Sequence, residues 1–488
     1  MEWSPKLKDL GYSEFKLLKN TKLDELKTYT LQDILDNSEK FPINFPVDAV
    51  RLKSLKNKKN VTKDFLTKSI NSVYPFMHES ALQLCIQFIE LKQNYGSSVE
   101  QKFYKNMQLK SFINRLLKNR AVMFMGKADY YILLSGERGA RKWEFCGTAR
   151  EFPPLILENC LSYDEIKLSA LLYVSSYTHF INKGERKNRA VYADDRSLIQ
   201  DDGIIMGMIG PRLKKFFVMD FQEIVLTPKQ NIANDGCGTN EPSIQKLFCE
   251  FYQEYSYNYE TAQERMSKNT FPGRYVKLPF PKGAIFDNEI YKKRLTIVFD
   301  TMLVEANYRA QQCGKMAYLH VVGLGLGVWK ISSHQEKIYV NWFYQRLQNL
   351  SSKLQNISDV CFSYFGDCAG LENGSLIKID RHPLGGIYIH IYRRQPHEKL
   401  DDPDKLLVVS YAWDGNALPG NEWWDNKLDK SGDSAAASST QITELHNPHI
   451  NPLVCADNLR IVTSEGHIET FKSFIEQMTR KESEAPGN

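Results

Sequence analysis

Four carboxylates lie close together in the C-terminal third of the chain: Asp414, Glu422, Asp425 and Asp433. They follow the apolar run Leu406–Ala412, which is typical of a buried strand. Ligands of open α/β sheets bind beyond the carboxyl ends of the strands, where this segment begins. Grouped carboxylates can activate water and stabilise developing positive charge, as they do in glycosidases. The cluster therefore predicts a functional site at this edge of the sheet, with Asp414 as the favoured residue.

Each of these acids also has a purely structural explanation. Asp433 stands before a serine and three alanines, which is a position typical of a helix N-cap. Asp414 could bond the amides of its own turn, and Glu422 and Asp425 could be surface charges. A functional role is favoured for Asp414 because it lies just beyond the predicted strand. The choice among the four acids stays open at this point.

A run of alternating glycines follows another predicted strand. Gly323, Gly325 and Gly327 come directly after the apolar residues that end at Val322. The backbone amides of such a loop can approach a diphosphate closely, because no side chain intervenes. Glycines also occur where chain segments cross, so both explanations remain open. The pattern is not the dinucleotide-binding fingerprint, because the next predicted helix does not begin directly after the glycines.

Alternating strands and helices are expected to position both loops. Strands are predicted at Ala121–Met125, Tyr130–Leu134, Ala170–Tyr177, Phe216–Leu226, Ala317–Gly323, Asp359–Phe365, Gly386–Tyr392 and Leu406–Ala412. Helices are predicted at Ser243–Tyr255, Asn288–Gln312, Gln335–Leu354, Ala435–Leu445 and Glu469–Arg480, and loops at Asn182–Asp202 and Asn231–Asn240. This alternation predicts an α/β layered domain with a mixed sheet over residues 119–475. Residues 1–118 are expected to form a helical N-terminal region, and residues 476–488 a flexible tail.

The composition excludes several classes of protein. With 488 residues, of which 42% are hydrophobic and 25% charged, the chain matches globular proteins rather than fibrous or disordered ones. No apolar stretch is long enough to span a membrane, and the first residues lack the apolar core of a signal peptide, so a cytoplasmic location is expected. The net charge of +5 is small and does not indicate nucleic acid binding. The scattered cysteines and the single close histidine pair, His446 and His449, predict no metal site.

Several phrases of the sequence resemble one family. They are His320–Trp329, Ser410–Asn416 with Pro419–Trp424, Ser431–Asp433, and Glu444–Pro448 before Ile450–Pro452. These segments are similar to the MavL-like macrodomain family, the arginine-specific ADP-ribosylhydrolases of Legionella and their eukaryotic relatives. The resemblance extends over residues 120–470 and leaves out the lysine-rich N-terminal hundred residues.

The resemblance implies a macrodomain-like three-layer α/β/α sandwich with a mixed sheet. It implies hydrolysis of the bond between ADP-ribose and an arginine side chain of a modified protein, with ubiquitin as the substrate of the bacterial member, and no cofactor or metal. Catalysis would come from the four acids Asp414, Glu422, Asp425 and Asp433. ADP-ribose would contact Gly323, Leu324, Gly325, Leu326, Gly327, Val328, Asn416, Gly420 and Asn421.

The acidic character of the loop favours an arginine linkage over an ester linkage. Carboxylates can hold a cationic guanidinium in bidentate fashion, and an ester to serine or glutamate offers no such group. Two other functions use the same residues without this chemistry. One is a module that recognises ADP-ribose without turnover, and the other is a scaffold protein with an inactive pocket.

Overall fold

A mixed sheet of ten strands forms the centre of the fold. The structure is a computed structural model that describes residues 11–231, 241–254 and 258–483. Most of the predicted loop Asn231–Asn240, the last residue of the predicted helix Ser243–Tyr255 and the end of the predicted tail after Ser483 lie outside these residues.

The described residues form sixteen strands and sixteen α-helices. The strands are β1 (Tyr74–His78), β2 (Met123–Met125), β3 (Tyr130–Ile132), β4 (Arg138–Gly139), β5 (Tyr173–His179), β6 (Asp202–Met208), β7 (Val225–Leu226), β8 (Tyr275–Lys277), β9 (Ile285–Asp287), β10 (Met316–Val321), β11 (Ile357–Phe362), β12 (Leu376–Lys378), β13 (Gly386–Ile391), β14 (Lys405–Ala412), β15 (Arg460–Val462) and β16 (Ile468–Thr470). The helices are α1 (Tyr12–Lys19), α2 (Leu31–Lys40), α3 (Leu52–Leu55), α4 (Lys63–Asn71), α5 (Glu79–Tyr95), α6 (Ser98–Tyr104), α7 (Leu109–Lys118), α8 (Tyr163–Ser169), α9 (Phe221–Ile224), α10 (Ile244–Phe251), α11 (Tyr259–Ser267), α12 (Asn288–Gln312), α13 (His334–Leu350), α14 (Gly432–Ala437), α15 (Ile442–Leu445) and α16 (Phe471–Ser483). None of these helices is long and apolar enough to cross a membrane.

The strand order of the large sheet is β12, β13, β11, β10, β14, β6, β5, β1, β15 and β16. The five neighbours from β13 to β6 run parallel, whereas β12, β5 and β16 are antiparallel to their partners. The parallel strands β10, β11 and β14 are mostly apolar and almost entirely buried, as expected for strands covered on both faces. The predicted α/β class with a mixed sheet is therefore confirmed.

Helical segments cover opposite faces of this sheet. Successive side chains of a strand point to opposite faces of the sheet, so the side chains of Ser175 and Ser176 in β5 lie on opposite faces. The Ser175 hydroxyl donates to Glu305 of α12 at 2.6 Å, whereas the Ser176 hydroxyl lies 2.9 Å from Nε2 of His446, directly after α15. The long helix α12 and the segment with α14 and α15 thus form separate layers on the two sides.

The N-terminal region contributes more than the helices predicted for residues 1–118. Its strand β1 lies inside the large sheet, antiparallel to β5 and parallel to β15. Sequence patterning missed β1 because it holds Pro75 and runs directly into α5, whose N-cap is His78. At the other end of the chain, α16 continues through residues 476–483, where a flexible tail is predicted.

Three further predictions differ from the structure. The strand β6 was missed because two glycines interrupt its apolar residues. Most of the predicted strand Phe216–Leu226 is instead a turn and the short helix α9, since Phe217 has a φ of 66° and packs its ring against Phe221. The predicted helix Ala435–Leu445 is divided into α14 and α15, because Ser439 and Thr440 bond back to helix carbonyls with their hydroxyls.

Candidate active site

A cavity of about 600 Å³ lies at the carboxyl ends of the five parallel strands. Residues that follow each of these strands line it: Gly210 after β6, Val322 after β10, Ser363 after β11, Gln395 after β13 and Ala412 at the end of β14. This is the position at which α/β sheets bind ligands. The volume is in the range of pockets that enclose a ligand of drug size.

Asp414 occupies one end of this cavity. Its Oδ2 accepts a hydrogen bond of 2.8 Å from Nδ2 of Asn421. Its Oδ1 is buried and has no hydrogen-bond partner among the described residues. Burial raises the pKa of Asp414 to about 7, the negative charge of Glu422 adds to the rise, and Arg212 opposes it. The carboxyl group thus has a free oxygen and is poised to exchange a proton near neutral pH.

Asp433 lines the same end but both of its oxygens bind the backbone. Oδ2 accepts from the amide of Asp414 at 3.0 Å, and Oδ1 accepts from the amide of Gly420 at 2.7 Å. Burial raises the pKa of Asp433 well above its ordinary value. The residue is not the N-cap of α14, because Ser431 fills that position and bonds Ser434. Asp433 therefore fastens the two ends of the acidic loop to each other.

Glu422 is the third carboxylate on the cavity wall, and it is 7% exposed. Its Oε2 accepts a hydrogen bond of 2.8 Å from the hydroxyl of Ser431, and its Oε1 has no described partner. Asp425 lies outside the cavity. It pairs with Arg138 and Lys427, each at 2.7 Å. Partial burial raises the pKa of Asp425, but these two bonds outweigh it and lower the pKa overall.

Two buried arginines hold the turn that carries Asp414. Arg212 is 1% exposed; it donates to Oδ1 of Asn416 at 2.5 Å and to the carbonyl of Ile166 at 3.0 Å. Arg120 donates to the carbonyl of Gly415 at 3.2 Å. Burial, assisted by Arg212, lowers the pKa of Arg120 to about 9.

Sequence reasoning missed both arginines. Arg120 belongs to a basic stretch with helical spacing, and Arg212 follows β6, which was itself missed. The sequence offered one weak signal of a functional residue: Arg212 follows an apolar segment that contains small residues.

The glycine loop serves two different purposes. Gly325 has a φ of 74°, and an added Cβ would lie 2.6 Å from the carbonyl oxygen of Pro211. An added Cβ at Gly210 would likewise meet Leu324 at 2.3 Å, so two chain segments cross here. At Gly327 an added Cβ would meet no atom within 4 Å, and this residue lines the cavity. The close approach of two chain segments explains why residue 325 is a glycine, whereas Gly327 faces open space.

Four of the residues predicted to contact ADP-ribose lie behind the cavity wall. Leu324 is completely buried, and Asn416 binds Arg212. Gly420 has a φ of 104° and donates its amide to Asp433. Asn421 exchanges two hydrogen bonds with the backbone of Phe124 and donates to Asp414. The other predicted contacts line the cavity: Gly323, Gly325, Leu326, Gly327 and Val328.

Replacing Gly327 by Ala tests whether the open backbone serves a ligand. The free space around Gly327 predicts a thermal midpoint close to that of the wild type. If a diphosphate lies against this backbone, the added methyl group should weaken ADP-ribose binding by about tenfold, or about 1.4 kcal/mol. Calorimetric titration with ADP-ribose measures the effect. The control is Gly366→Ala, where the new Cβ would meet only Glu336 at 3.5 Å; equal affinities in both variants would contradict the prediction.

Cationic side chains lie on another part of the cavity wall. Arg186 and Lys187 line it and are exposed, and neither makes an ion pair within the described part of the chain. The described residues contain no group of three or more His, Cys, Asp or Glu side chains that could hold a metal ion. The histidine pair is divided, since His446 binds Ser176 and His449 lies against the carbonyl of Lys118. The cavity wall thus carries carboxylates at Asp414, Glu422 and Asp433, and cations at Arg186 and Lys187 beside Glu185.

Comparisons with known proteins identify the family of the chain. A family model described as ADP-ribosylhydrolase MavL-like matches residues 32–477, which includes most of the N-terminal region that the resemblance left out. ADP-ribosylarginine hydrolase CG2909 of Drosophila melanogaster is 41% identical over 469 residues, covering 93% of this chain and 91% of the relative. ADP-ribosylarginine hydrolase CG3568 of the same fly is 42% identical over 434 residues, covering 86% and 83%. The resemblance drawn from the loop motifs is confirmed, and the chain belongs to the MavL-like ADP-ribosylhydrolase family.

Proposed function

We propose that this protein hydrolyses the N-glycosidic bond between ADP-ribose and an arginine side chain of a modified protein. The observation that carries the proposal is that Asp414, Glu422 and Asp433 line one cavity, whose wall also contains glycine backbone, apolar and aromatic side chains, and the cations Arg186 and Lys187. Both Drosophila relatives are named ADP-ribosylarginine hydrolases, which supports the same linkage.

The charge distribution of the cavity supports one orientation of the substrate. The diphosphate lies along Gly323–Val328, within reach of Arg186 and Lys187, where its negative charge is offset. The arginine end then faces the three carboxylates. Glu422 has a free oxygen and holds the guanidinium through charge-assisted hydrogen bonds. Asp433 keeps the loop closed through the hydrogen bonds of both of its oxygens.

In the reaction, Asp414 acts as the general base. Its free oxygen accepts a proton from a water molecule while the water oxygen forms a bond to C1″ of the ribose. The bond from C1″ to the guanidinium nitrogen breaks, and its electron pair stays on nitrogen. Since the guanidinium was cationic, it leaves as neutral guanidine and takes up a proton afterwards. Nearby negative charge stabilises the oxocarbenium-like transition state.

The direct test is release of ADP-ribose from a protein that carries it on arginine. We expect the wild-type protein to release free ADP-ribose from the arginine-linked substrate and to leave serine-linked and glutamate-linked substrates intact. Tight binding of ADP-ribose without release would favour a reader module. A scaffold protein would show no shift of its thermal midpoint, whereas saturation at ~100 times the dissociation constant stabilises a binder by about 2.7 kcal/mol.

Replacing Glu422 by Gln should move the pH profile of the reaction to lower pH. The negative charge of Glu422 is one cause of the raised pKa of Asp414, so its removal lowers that pKa. The base form of Asp414 then exists at lower pH, and the rising limb of kcat/KM, expected near pH 7 in the wild type, shifts downward. The plateau should also fall by about tenfold or more, because a charge-assisted bond to the guanidinium is lost.

Profiles of kcat/KM measured between about pH 5 and pH 9 give both the midpoint of the rising limb and the height of the plateau. Asp429→Asn is the control, because Asp429 pairs with Arg189 and does not line the cavity. An unchanged midpoint in Glu422→Gln would contradict the proposed coupling between the two carboxylates.

We further propose that the sheet and its two helical layers are macrodomain-like, that ubiquitin is a substrate, and that the protein acts in the cytoplasm. The layers on both faces of the sheet support the first of these, and the family resemblance supports the second. Ubiquitin carrying ADP-ribose on arginine, compared with an unrelated protein modified at arginine, tests substrate choice through the ratio of kcat/KM values.

A further inference from the structure

The N-terminal region contacts the loop that carries Glu422 through a cluster of aromatic rings. The ring of Phe45 lies 6.0 Å from Trp423 and 5.1 Å from Trp424, measured between centroids. Phe41 lies 5.2 Å from Trp424. Both tryptophans are almost completely buried, and they follow Glu422 directly in the short 3-10 helix Asn421–Asp425.

A buried carboxylate fixes this N-terminal segment in place. Glu444 is completely buried and accepts hydrogen bonds from the hydroxyl of Ser38 at 2.5 Å and the amide of Leu52 at 2.6 Å. Arg51 lies 3.3 Å from the same carboxylate and places its guanidinium 4.0 Å from the centre of the Phe45 ring. The position of Phe45 is therefore set from two sides, by Glu444 through Arg51 and by the tryptophans.

We propose that Phe45 is a positioning residue for the catalytic carboxylate Glu422, acting through Trp423 and Trp424. The inference rests on the proposed function. Aromatic pairs at these distances contribute beyond simple burial, so they restrain the short 3-10 helix that carries Glu422. The N-terminal region thus completes the active site although none of its side chains touches the cavity: residues 11–118 contribute none of its lining.

The test replaces Phe45 by Ala and by Leu and compares both with Phe103→Ala. Phe103 is also half-buried in the N-terminal region and also carries an arginine over its ring, Arg115 at 4.6 Å, but it packs on Tyr104 away from the acidic loop. Both alanine variants should lose thermal stability to a similar extent. Only the Phe45 variants should lose turnover, by about tenfold, with the affinity for ADP-ribose unchanged.

The pH profile separates positioning from general destabilisation. If Glu422 moves away from Asp414, the midpoint of kcat/KM should shift to lower pH, as in Glu422→Gln. The other titratable and charged groups that face Asp414 lie on other elements: Asp433 on α14, Arg212 after β6 and Arg120 after α7. In the double variant Phe45→Ala/Glu422→Gln, the Phe45 substitution should not shift the midpoint of kcat/KM any further. The charge of Glu422, which this substitution would displace, is already absent. The Leu variant, which keeps apolar volume, should show a smaller loss than the Ala variant.

Two outcomes overturn the inference. One is a Phe45→Ala variant whose turnover and pH midpoint match those of Phe103→Ala. The other is a double variant whose midpoint shift is the sum of the two single shifts. If the wild-type protein releases no ADP-ribose from arginine, the proposed function fails instead, and this result is distinct from both outcomes.

Discussion

Replacing Asp414 by Asn is expected to lower turnover of the arginine-linked substrate by about 10²- to 10⁴-fold. The substitution keeps the shape of the side chain and the hydrogen bond from Asn421, but it removes the carboxylate that we propose as the proton acceptor. Binding of ADP-ribose should change little, because the diphosphate is expected to lie along the glycine loop. Single-turnover release of ADP-ribose and calorimetric titration measure the two quantities separately.

The same variant should be more stable than the wild type at neutral and higher pH. Burial raises the pKa of Asp414 from 3.8 to about 7, so the folded protein holds this proton more tightly than the unfolded chain. The stability of the wild type therefore falls as the pH rises from about 3.8 to about 7, and it stays low above that range. Asn has no such dependence. A variant that retains turnover, or one that unfolds at a lower temperature at pH about 8, would contradict the role of Asp414.

The contrast between Asp414 and Asp433 explains why the sequence favoured Asp414 but left the choice among the four acids open. Both follow the same strand, and both lie at the cavity wall with raised pKa values. They differ in their hydrogen bonds, since Asp433 gives both oxygens to backbone amides and Asp414 keeps one free. Such partners depend on how the loop returns to Gly420, which no local pattern specifies. The partners of Asp425 were equally impossible to predict from a local pattern. Asp425 pairs with Arg138 and Lys427 and lies outside the cavity.

The apolar runs of the central strands did predict the edge of the sheet at which the site lies. Most residues of β10, β11, β13 and β14 are apolar, and this pattern is local information. Elements whose place depends on distant partners were missed. β1 pairs with strands far along the chain, and Phe45 reaches Trp423 across almost four hundred positions of sequence. Arg120 and Arg212 were missed for the same reason.

Replacing Arg212 by Met should have the largest effect on stability among these variants. Arg212 is almost completely buried, and its removal leaves Oδ1 of Asn416 without its donor and takes one of two donors from the carbonyl of Ile166, which keeps the hydroxyl of Ser169. It also breaks the 3.3 Å contact between Nε and Asp220. Loss of one member of a buried ion pair typically costs about 3 to 5 kcal/mol, and we expect the free energy of unfolding to fall by that amount. Urea denaturation followed by tryptophan fluorescence measures it.

The activity of Arg212→Met should change in the direction opposite to that of Glu422→Gln. Arg212 is a positive charge that opposes the rise in the pKa of Asp414, so its removal raises that pKa further. The base form then appears only at higher pH, and the midpoint of kcat/KM shifts upward. Arg294→Met is the matched control: Arg294 is equally buried and pairs with Asp220 at 2.8 Å, but it makes no hydrogen bond to the turn of Asp414. Both variants should lose stability, and only Arg212→Met should move the midpoint. Equal midpoints in the two variants would show that Arg212 supports the fold without tuning the catalytic carboxyl group.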